Sequence, residues 1–308
     1  MSRRDPLFSV IVPTYGRPDA LRGCVEALSA LKYPRDRFEI IVVDDGGTVP
    51  LMPLLEPVAK QLQLKVLWQP NAGPAAARNF GALHATGKML AFTDDDCRPA
   101  PDWLRAFEAA SSPGATALLG GRTINALREN PYAQASQLII DVVYAHYNRN
   151  PLHARFFASN NMAVPTELFR RLNGFDPGFR TSEDRDLCDR WQSQGYYLRY
   201  VPEAVIFHAH VLTLRSFWTQ HAGYGRGAWL HHSARAQRGA GPFRPDWTFY
   251  KALARSPLSD ASARDIVRAY CLLMVAQLAN ASGCLAQAVK TCLARGESPV
   301  ASNRPEQS

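Results

Sequence analysis

The sequence predicts an α/β fold built on a mostly parallel central sheet with helices on both faces, followed by a helical C-terminal extension. Three observations predict it. Strand-type and helix-type segments alternate through the first 110 residues, the strand-type segments are continuous apolar runs, and from near Thr213 the pattern becomes helical. Continuous runs of Val, Ile and Phe mark strands covered on both faces. A β-α-β order implies parallel pairing through right-handed crossovers.

Phe8 to Val12 is the first such run. After the turn Gly16-Arg17-Pro18, Leu21, Val25, Leu28 and Leu31 recur at helical spacing. Phe38 to Val43 is a second buried-type strand, closed by Asp44-Asp45-Gly46-Gly47. Pro50 to Leu62 reads as a helix, Lys65 to Trp68 as a third strand and Pro74 to His84 as an alanine-rich helix. Met89 to Thr93 is a fourth strand that ends in Asp94-Asp95-Asp96. Farther on, Pro131 to Tyr147 reads as a helix and Phe156 to Val164 as strand-like. Thr166 to Leu172 and Arg185 to Gln194 read as helices, and Tyr197 to Phe207 as one or two strands. The expected division is a catalytic-type domain over residues 1–211, a basic, aromatic-rich helical extension over 212–294 and a flexible tail over 295–308.

With 308 residues, 46% apolar and 20% charged, the chain is long and apolar enough to bury a substantial core. Its six cysteines, at 24, 97, 188, 271, 284 and 292, form no C-x-x-C pair, which predicts free thiols in a reducing compartment. The apolar run at Ser9 to Val12 is too short for a signal peptide. A cytoplasmic location, peripheral to the inner face of the membrane, is therefore expected. The net charge of +8 is concentrated late: residues 212–308 hold twelve Lys/Arg against five Asp/Glu, beside Phe217, Trp218, Trp229, Trp247, Phe249 and Tyr250. Basic residues among aromatics suit an anionic membrane surface or a nucleic acid, and the plainer reading is a solvated basic face beside core aromatics. The expected contact is peripheral membrane, with no nucleic acid. Residues 269–289 carry no charge and reach the length of a membrane span. Gln277, Asn280, Ser282, Gly283 and Gln287 make insertion costly, so this helix is expected to pack on the domain or lie on a membrane surface.

Ligands of parallel sheets bind beyond the carboxyl ends of the strands, where this chain places its polar clusters. Three consecutive carboxylates, Asp94 to Asp96, repel one another by about 1 kcal/mol per pair at 4 Å even in water. A divalent cation such as Mg²⁺ or Mn²⁺ is their natural partner, and a solvated acidic turn is the structural alternative. Asp44 and Asp45, followed by glycines, suit hydrogen bonds to a nucleotide base or ribose, and alone they are an ordinary turn signal. Asn71-Ala72-Gly73-Pro74 opens a helix that carries Arg78 and Asn79 one turn in, near an N-terminus suited to anions. Neither G-x-G-x-x-G nor a P-loop is present, so dinucleotide and P-loop readings lack their defining residues. Thr181-Ser182-Glu183-Asp184-Arg185-Asp186 is an acidic helix start, favourable on electrostatic grounds alone or as the seat of a general base.

Read in order, Val10-Ile11-Val12-Pro13-Thr14-Tyr15, Val42-Val43-Asp44-Asp45-Gly46, Asn71-Ala72-Gly73 with Arg78-Asn79, Phe92-Thr93-Asp94-Asp95-Asp96, Asn160-Asn161-Met162 before Gly174-Phe175-Asp176, and Glu183-Asp184 form a recognisable succession. It covers about residues 7–210 and resembles the inverting glycosyltransferases of family 2, which adopt the A-type fold. The resemblance implies a sugar passed from a nucleotide-diphosphate donor, a UDP-sugar by default with GDP- and dTDP-sugars open, and assisted by Mn²⁺ or Mg²⁺. The acceptor is a hydroxyl of a saccharide, a lipid-linked saccharide or another molecule. Pro13, Thr14 and Tyr15 are then expected to line the base pocket, Asp44 or Asp45 to bond base or ribose, and Arg78, with Asn71 and Gly73 nearby, to hold the nucleotide. The family's D-x-D motif maps onto Asp94 and Asp96, with Asp96 the metal ligand; because all three positions are Asp, Asp95 with Asp96 stays open. Asp184 is the implied base, with Glu183 orienting the acceptor or the loop. His208 matches a histidine that relatives place near the metal.

Beyond residue 210 the match weakens. In place of the Q-x-x-R-W of longer processive relatives stands Gln220-His221-Ala222-Gly223-Tyr224-Gly225-Arg226-Gly227, which argues for single transfers and puts Arg226, flanked by glycines, within reach of the diphosphate. Two other classes fit these residues less well. A catalytically silent sugar-nucleotide sensor or scaffold needs a damaged base or metal motif, and both are intact here. A nucleotidyltransferase needs a basic, glycine-rich loop after its first strand, which Pro13 to Pro18 does not resemble.

Overall fold

The computed structural model describes residues 7–60, 62–112, 114, 116–241, 245–256 and 263–296, so the tail expected over 295–308 falls outside it from residue 297 onward. Strands β1 (Phe8–Thr14) and β2 (Phe38–Asp45) are buried along their whole length. On one face Val10 and Val12 pack with Leu21, Val25 and Leu28 of α1 (Pro18–Ser29). On the other, Ile11, Ile41 and Val43 pack with Ala75 and Ala77 of α3 (Pro74–Leu83). With both faces covered, a strand has no polar positions to alternate with. The helix expected over Pro50 to Leu62 is the shorter α2 (Met52–Ala59).

Strand β3 (Leu64–Gln69) pairs parallel with β2, and β4 (Met89–Phe92) parallel with β1. These registers set Thr14 beside Asp44 and Asp45 beside Gln69, so the polar ends of three strands share one edge. From there the sheet is mixed, in the order β3-β2-β1-β4-β7-β6-β8-β5. Its second half is β5 (Cys97–Pro99), α4 (Trp103–Ala110), β6 (Leu118–Asn125), α5 (Pro131–Tyr147), β7 (Met162–Pro165), α6 (Thr166–Arg171), α7 (Glu183–Ser193) and β8 (Leu198–His208). β6 runs parallel to β8, while β4–β7, β6–β7 and β5–β8 are antiparallel.

One expectation changes here and an open one closes. The strand-like segment Phe156 to Val164 is a strand only from Met162; a 3-10 turn at Ser159–Asn161 precedes it. Phe157 is apolar because it is buried beneath Tyr144 and Tyr200, not because it sits in the sheet. The region Tyr197 to Phe207 is one strand, β8, whose pairing with β6 shifts register between Gly121 and Arg122.

Helices α8 (Leu214–Gln237), α9 (Trp247–Arg255) and α10 (Ala263–Gly296) complete the described chain. Thr213 and Ser216 cap α8 reciprocally. The far end of α8 is tied to α7, since Arg238 meets Asp186 at 2.9 Å and Asp189 at 2.8 Å. Helix α10 runs antiparallel along α8 in backbone contact: a β-carbon on Gly225 would fall on the carbonyl oxygen of Asn280, and one on Gly283 on that of Ala222. Gly225→Val is therefore expected to destabilise the protein by about 1–3 kcal/mol, the usual range for overpacking, read as a lower urea midpoint. An unchanged midpoint would show that the two helices can separate freely.

Candidate active site

Strand ends and a loop build the first wall. Pro13 and Thr14 close β1, with Thr14 buried and Tyr15 exposed just beyond it. Asp45, at the end of β2, accepts hydrogen bonds from Gln69 Nε2 (2.6 Å) and from the backbone amides of Ala72 and Gly73 (both 2.9 Å). It thereby fixes the Asn71-Ala72-Gly73 loop, and Asn71 adds a bond to the Asp45 carbonyl oxygen. Asp44 accepts from the Gly47 amide at 2.8 Å. Gly46 adopts φ +93° and leaves no room for a side chain against Asn71, so the turn's glycines serve close approach.

The carboxylate turn forms the second wall. Asp95 accepts from Thr14 Oγ1 at 2.7 Å and pairs with Arg17 at 2.5 Å; burial pushes it up to about 6, against the pull of Arg17 and Thr14. Asp96 shares the same guanidinium, 2.9 Å from Arg17, and lies 3.2 Å from His208 Nε2. Burial disfavours its charge, but His208 and Arg17 hold it well below the usual carboxylate range. β5–β8 pairing explains the histidine, because Cys97 lies opposite His208. Asp96, His208 and His210 each offer a ligand atom, all within 4.8 Å of one another. This mixed oxygen and nitrogen donor set, beside two further carboxylates, fits a divalent ion such as Mn²⁺. Burial and the neighbouring His208 keep His210 below its ordinary pKa, which preserves the neutral imidazole that metal binding requires.

Arg78 joins the second wall to a third. It is buried on α3, with Nη2 2.6 Å from Asp94 and Nη1 2.9 Å from Glu183. One guanidinium thus spans segments that are far apart in sequence. Burial opposes its charge, but Asp94 and Glu183 more than offset that. Asn79 beside it donates to the Phe175 carbonyl and accepts from the Phe175 amide, so the Arg-Asn pair locks the Gly174–Phe175 turn. Glu183 and Asp184 occupy the first turn of α7, preceded by Ser182 in the left-handed region at φ +70°. Asp184 accepts from the Arg185 amide at 2.7 Å and from the Ser159 amide at 3.4 Å. Burial first, and then the charge of Glu183, push its pKa well above the ordinary carboxylate value.

Arg226 lies exposed on α8, and Thr181 Oγ1 donates to the Gly223 carbonyl one turn earlier. The glycines flanking Arg226 answer to packing rather than to a ligand. Gly225 meets Asn280, and a β-carbon on Gly227 would crowd Thr181 and Ser182. Sequence reasoning missed Arg17 and His210. His208-Ala209-His210 did carry a signal, a period-two pair at a strand end; Arg17, which reaches Asp95 across 78 positions, carried none.

The glycosyl transferase family 2 profile matches residues 9–172. Among curated proteins, the pre-mycofactocin glycosyltransferase of Mycobacterium tuberculosis is 31% identical over 232 residues, 74% of this chain and 47% of that protein. Glycosyltransferase AglE of Haloferax volcanii is 32% identical over 119 residues, 38% of this chain and 39% of that protein. The chain spans about half, or less, of the length of these relatives. Among solved structures, the mannosyltransferase PcManGT of Pyrobaculum calidifontis, in complex with GDP-Man and Mn²⁺, superposes with a TM-score of 0.60 at 23% identity. That match covers 94% of this chain and 81% of PcManGT. S. aureus TarS 1–349 gives 0.54 at 16% identity over 94% and 92%. At these identities the likeness establishes the fold, the A-type architecture expected from the sequence.

Proposed function

The chain belongs to glycosyl transferase family 2, and from that membership we propose that it moves a sugar from a nucleotide diphosphate to an acceptor hydroxyl by a single inverting displacement. The observation that supports this best is the Arg78 bridge. It brings the Asp94–Asp96 turn and the Glu183-Asp184 helix start to the two ends of one guanidinium, so a donor on the first and an acceptor on the second can meet.

In this reading Pro13, Thr14 and Tyr15 border the nucleotide base, and Asp44 or Asp45 with the Asn71–Gly73 loop borders the ribose. Arg226 lies free to reach the diphosphate. Asp184 takes the proton of the acceptor hydroxyl as that oxygen attacks the anomeric carbon, and the Ser159 and Arg185 amides hold its carboxylate in place. Glu183, fixed by Arg78 and Ser159 Oγ, orients the turn that carries the base. Asp96, His208 and His210 would hold Mn²⁺ or Mg²⁺, with Asp94, bound to Arg78, adding negative charge nearby; the ion would supply positive charge against the departing diphosphate. The six free cysteines support a reducing, cytoplasmic compartment.

Incubation with labelled UDP-, GDP- and dTDP-sugars and Mn²⁺ or Mg²⁺ tests the proposal, with UDP-sugars the first choice. GDP-Man in PcManGT and UDP-GlcNAc in TarS make both nucleotides worth screening. Release of free nucleoside diphosphate is expected; pyrophosphate release, or no turnover with any donor, would contradict it.

The raised pKa of Asp184 fixes the sign of the pH dependence. Only the ionised carboxylate accepts a proton, so kcat/KM should rise with pH through an acid limb lying above the ordinary carboxylate value of about 4. A pH-rate profile with its limb at or below that value would remove Asp184 from the base role.

A further inference from the structure

The outer face of α10 has no partner among the described residues. Val267, Met274, Leu278, Leu285, Val289 and Leu293 are each more than half exposed. Their spacing of seven, four, seven, four and four residues sets them on one stripe, and the exposed Cys271 falls on it too. The opposite face is committed to protein. Leu273, Ala276 and Ala279 are buried, and Gly283 abuts the backbone of Ala222. No charged residue interrupts the helix between Arg268 and Lys290. Exposed apolar patches of this extent are uncommon on soluble monomers unless something covers them.

We propose that this stripe docks the protein on an anionic lipid surface, with α10 lying in the plane of the interface. Charge distinguishes lipid from a second copy. Arg264 and Arg268 flank the stripe at one end and Lys290 at the other, and the one acid of the helix, Asp265, is paired with Arg268 at 2.8 Å. Two copies packed antiparallel on the stripe would oppose Arg264 and Arg268 to Lys290, and two packed parallel would oppose each cation to itself. The stripe's borders, Gln277 and Ser282 among them, offer no complementary charges to select a partner helix. Anionic headgroups match the same cations, and residues 212–308 carry twelve Lys/Arg against five Asp/Glu.

By length and composition α10 is apolar enough to cross a membrane, but its contacts favour lying flat. Gly225 and Gly283 hold it in backbone contact with α8, so a spanning α10 would carry Arg215, Arg226 and Arg235 toward the hydrocarbon or break that contact. Docking by one face requires neither. The test involves no turnover and is therefore independent of the transferase reading.

Flotation with vesicles of phosphatidylcholine alone, or with about 30% phosphatidylglycerol added, provides it. The protein should float with the anionic vesicles at low salt about tenfold more than with neutral ones. The double variant Leu278→Glu/Leu285→Glu should lower that uptake about tenfold or more. Its thermal midpoint should not move, because both side chains point out of the fold. Undiminished flotation of the variant overturns the proposal, as does equal flotation on neutral vesicles or no flotation of the parent protein. A dimer that the two substitutions split assigns the stripe to a second copy instead.

Discussion

Asp184→Asn is expected to leave nucleotide binding nearly unchanged while lowering turnover on the order of 10²–10⁴-fold, the usual contribution of a positioned general base. The substitution keeps the side chain's volume and one oxygen, enough for the 2.7 Å bond from the Arg185 amide, and gives up only the longer 3.4 Å bond from the Ser159 amide, so the start of α7 should hold its geometry. What it removes is the proton-accepting charge. Among the described residues, none on the donor side, from Thr14 to Asp96, hydrogen-bonds to Asp184, so a calorimetric titration of nucleoside diphosphate should scarcely change. Rapid-quench measurement of the chemical step provides the other half. Turnover at the parental rate would exclude Asp184 as the base, whereas lost nucleotide affinity would show that the variant disturbs the cleft.

Arg78→Met should produce the largest stability loss of any single change at the site. Arg78 is the cation that both Asp94 and Glu183 contact, and Glu183 is nearly as deeply buried as Arg78 itself. Removing one member of a buried pair typically costs about 3–5 kcal/mol, because the remaining charge loses its partner while still shut off from water. A drop of roughly 10 °C in melting temperature follows for a chain of this size. Pairing the change with Glu183→Gln should restore part of the loss, since the stranded carboxylate is then gone. If Arg78→Met melts with the parent protein, the bridge does not hold the two walls together.

The first half of the sheet was legible because local and tertiary demands agree there. A strand covered on both faces, as at Phe8 to Val12 and Phe38 to Val43, announces itself as an unbroken apolar run. β6 did not. Its Gly120-Gly121 pair reads locally as a turn, yet both glycines lie in a strand because a β-carbon on Gly120 would enter the Phe157 ring and one on Gly121 would meet the Ala204 carbonyl. β5, three residues long, is defined by its pairing with β8 rather than by its own pattern. At the site, the aspartates were readable as clusters, but their partners were not. Whether Asp94 or Asp95 leans toward Asp96's histidines depends on which side of a tight turn each side chain leaves. The structure sends Asp95 to Thr14 and Arg17 and Asp94 to Arg78.

Carboxylates and histidines from the β4–β5 turn and the end of β8 are expected to draw a divalent ion and a nucleoside diphosphate into one cleft. Calorimetric titration of UDP and GDP, with and without Mn²⁺, in the parent protein and in Asp96→Ala measures this directly. Nucleotide affinity should rise about tenfold or more when the ion is present, and Asp96→Ala should lose that gain. Equal affinity with and without the ion in the parent protein would rule out a metal-assisted nucleotide site here.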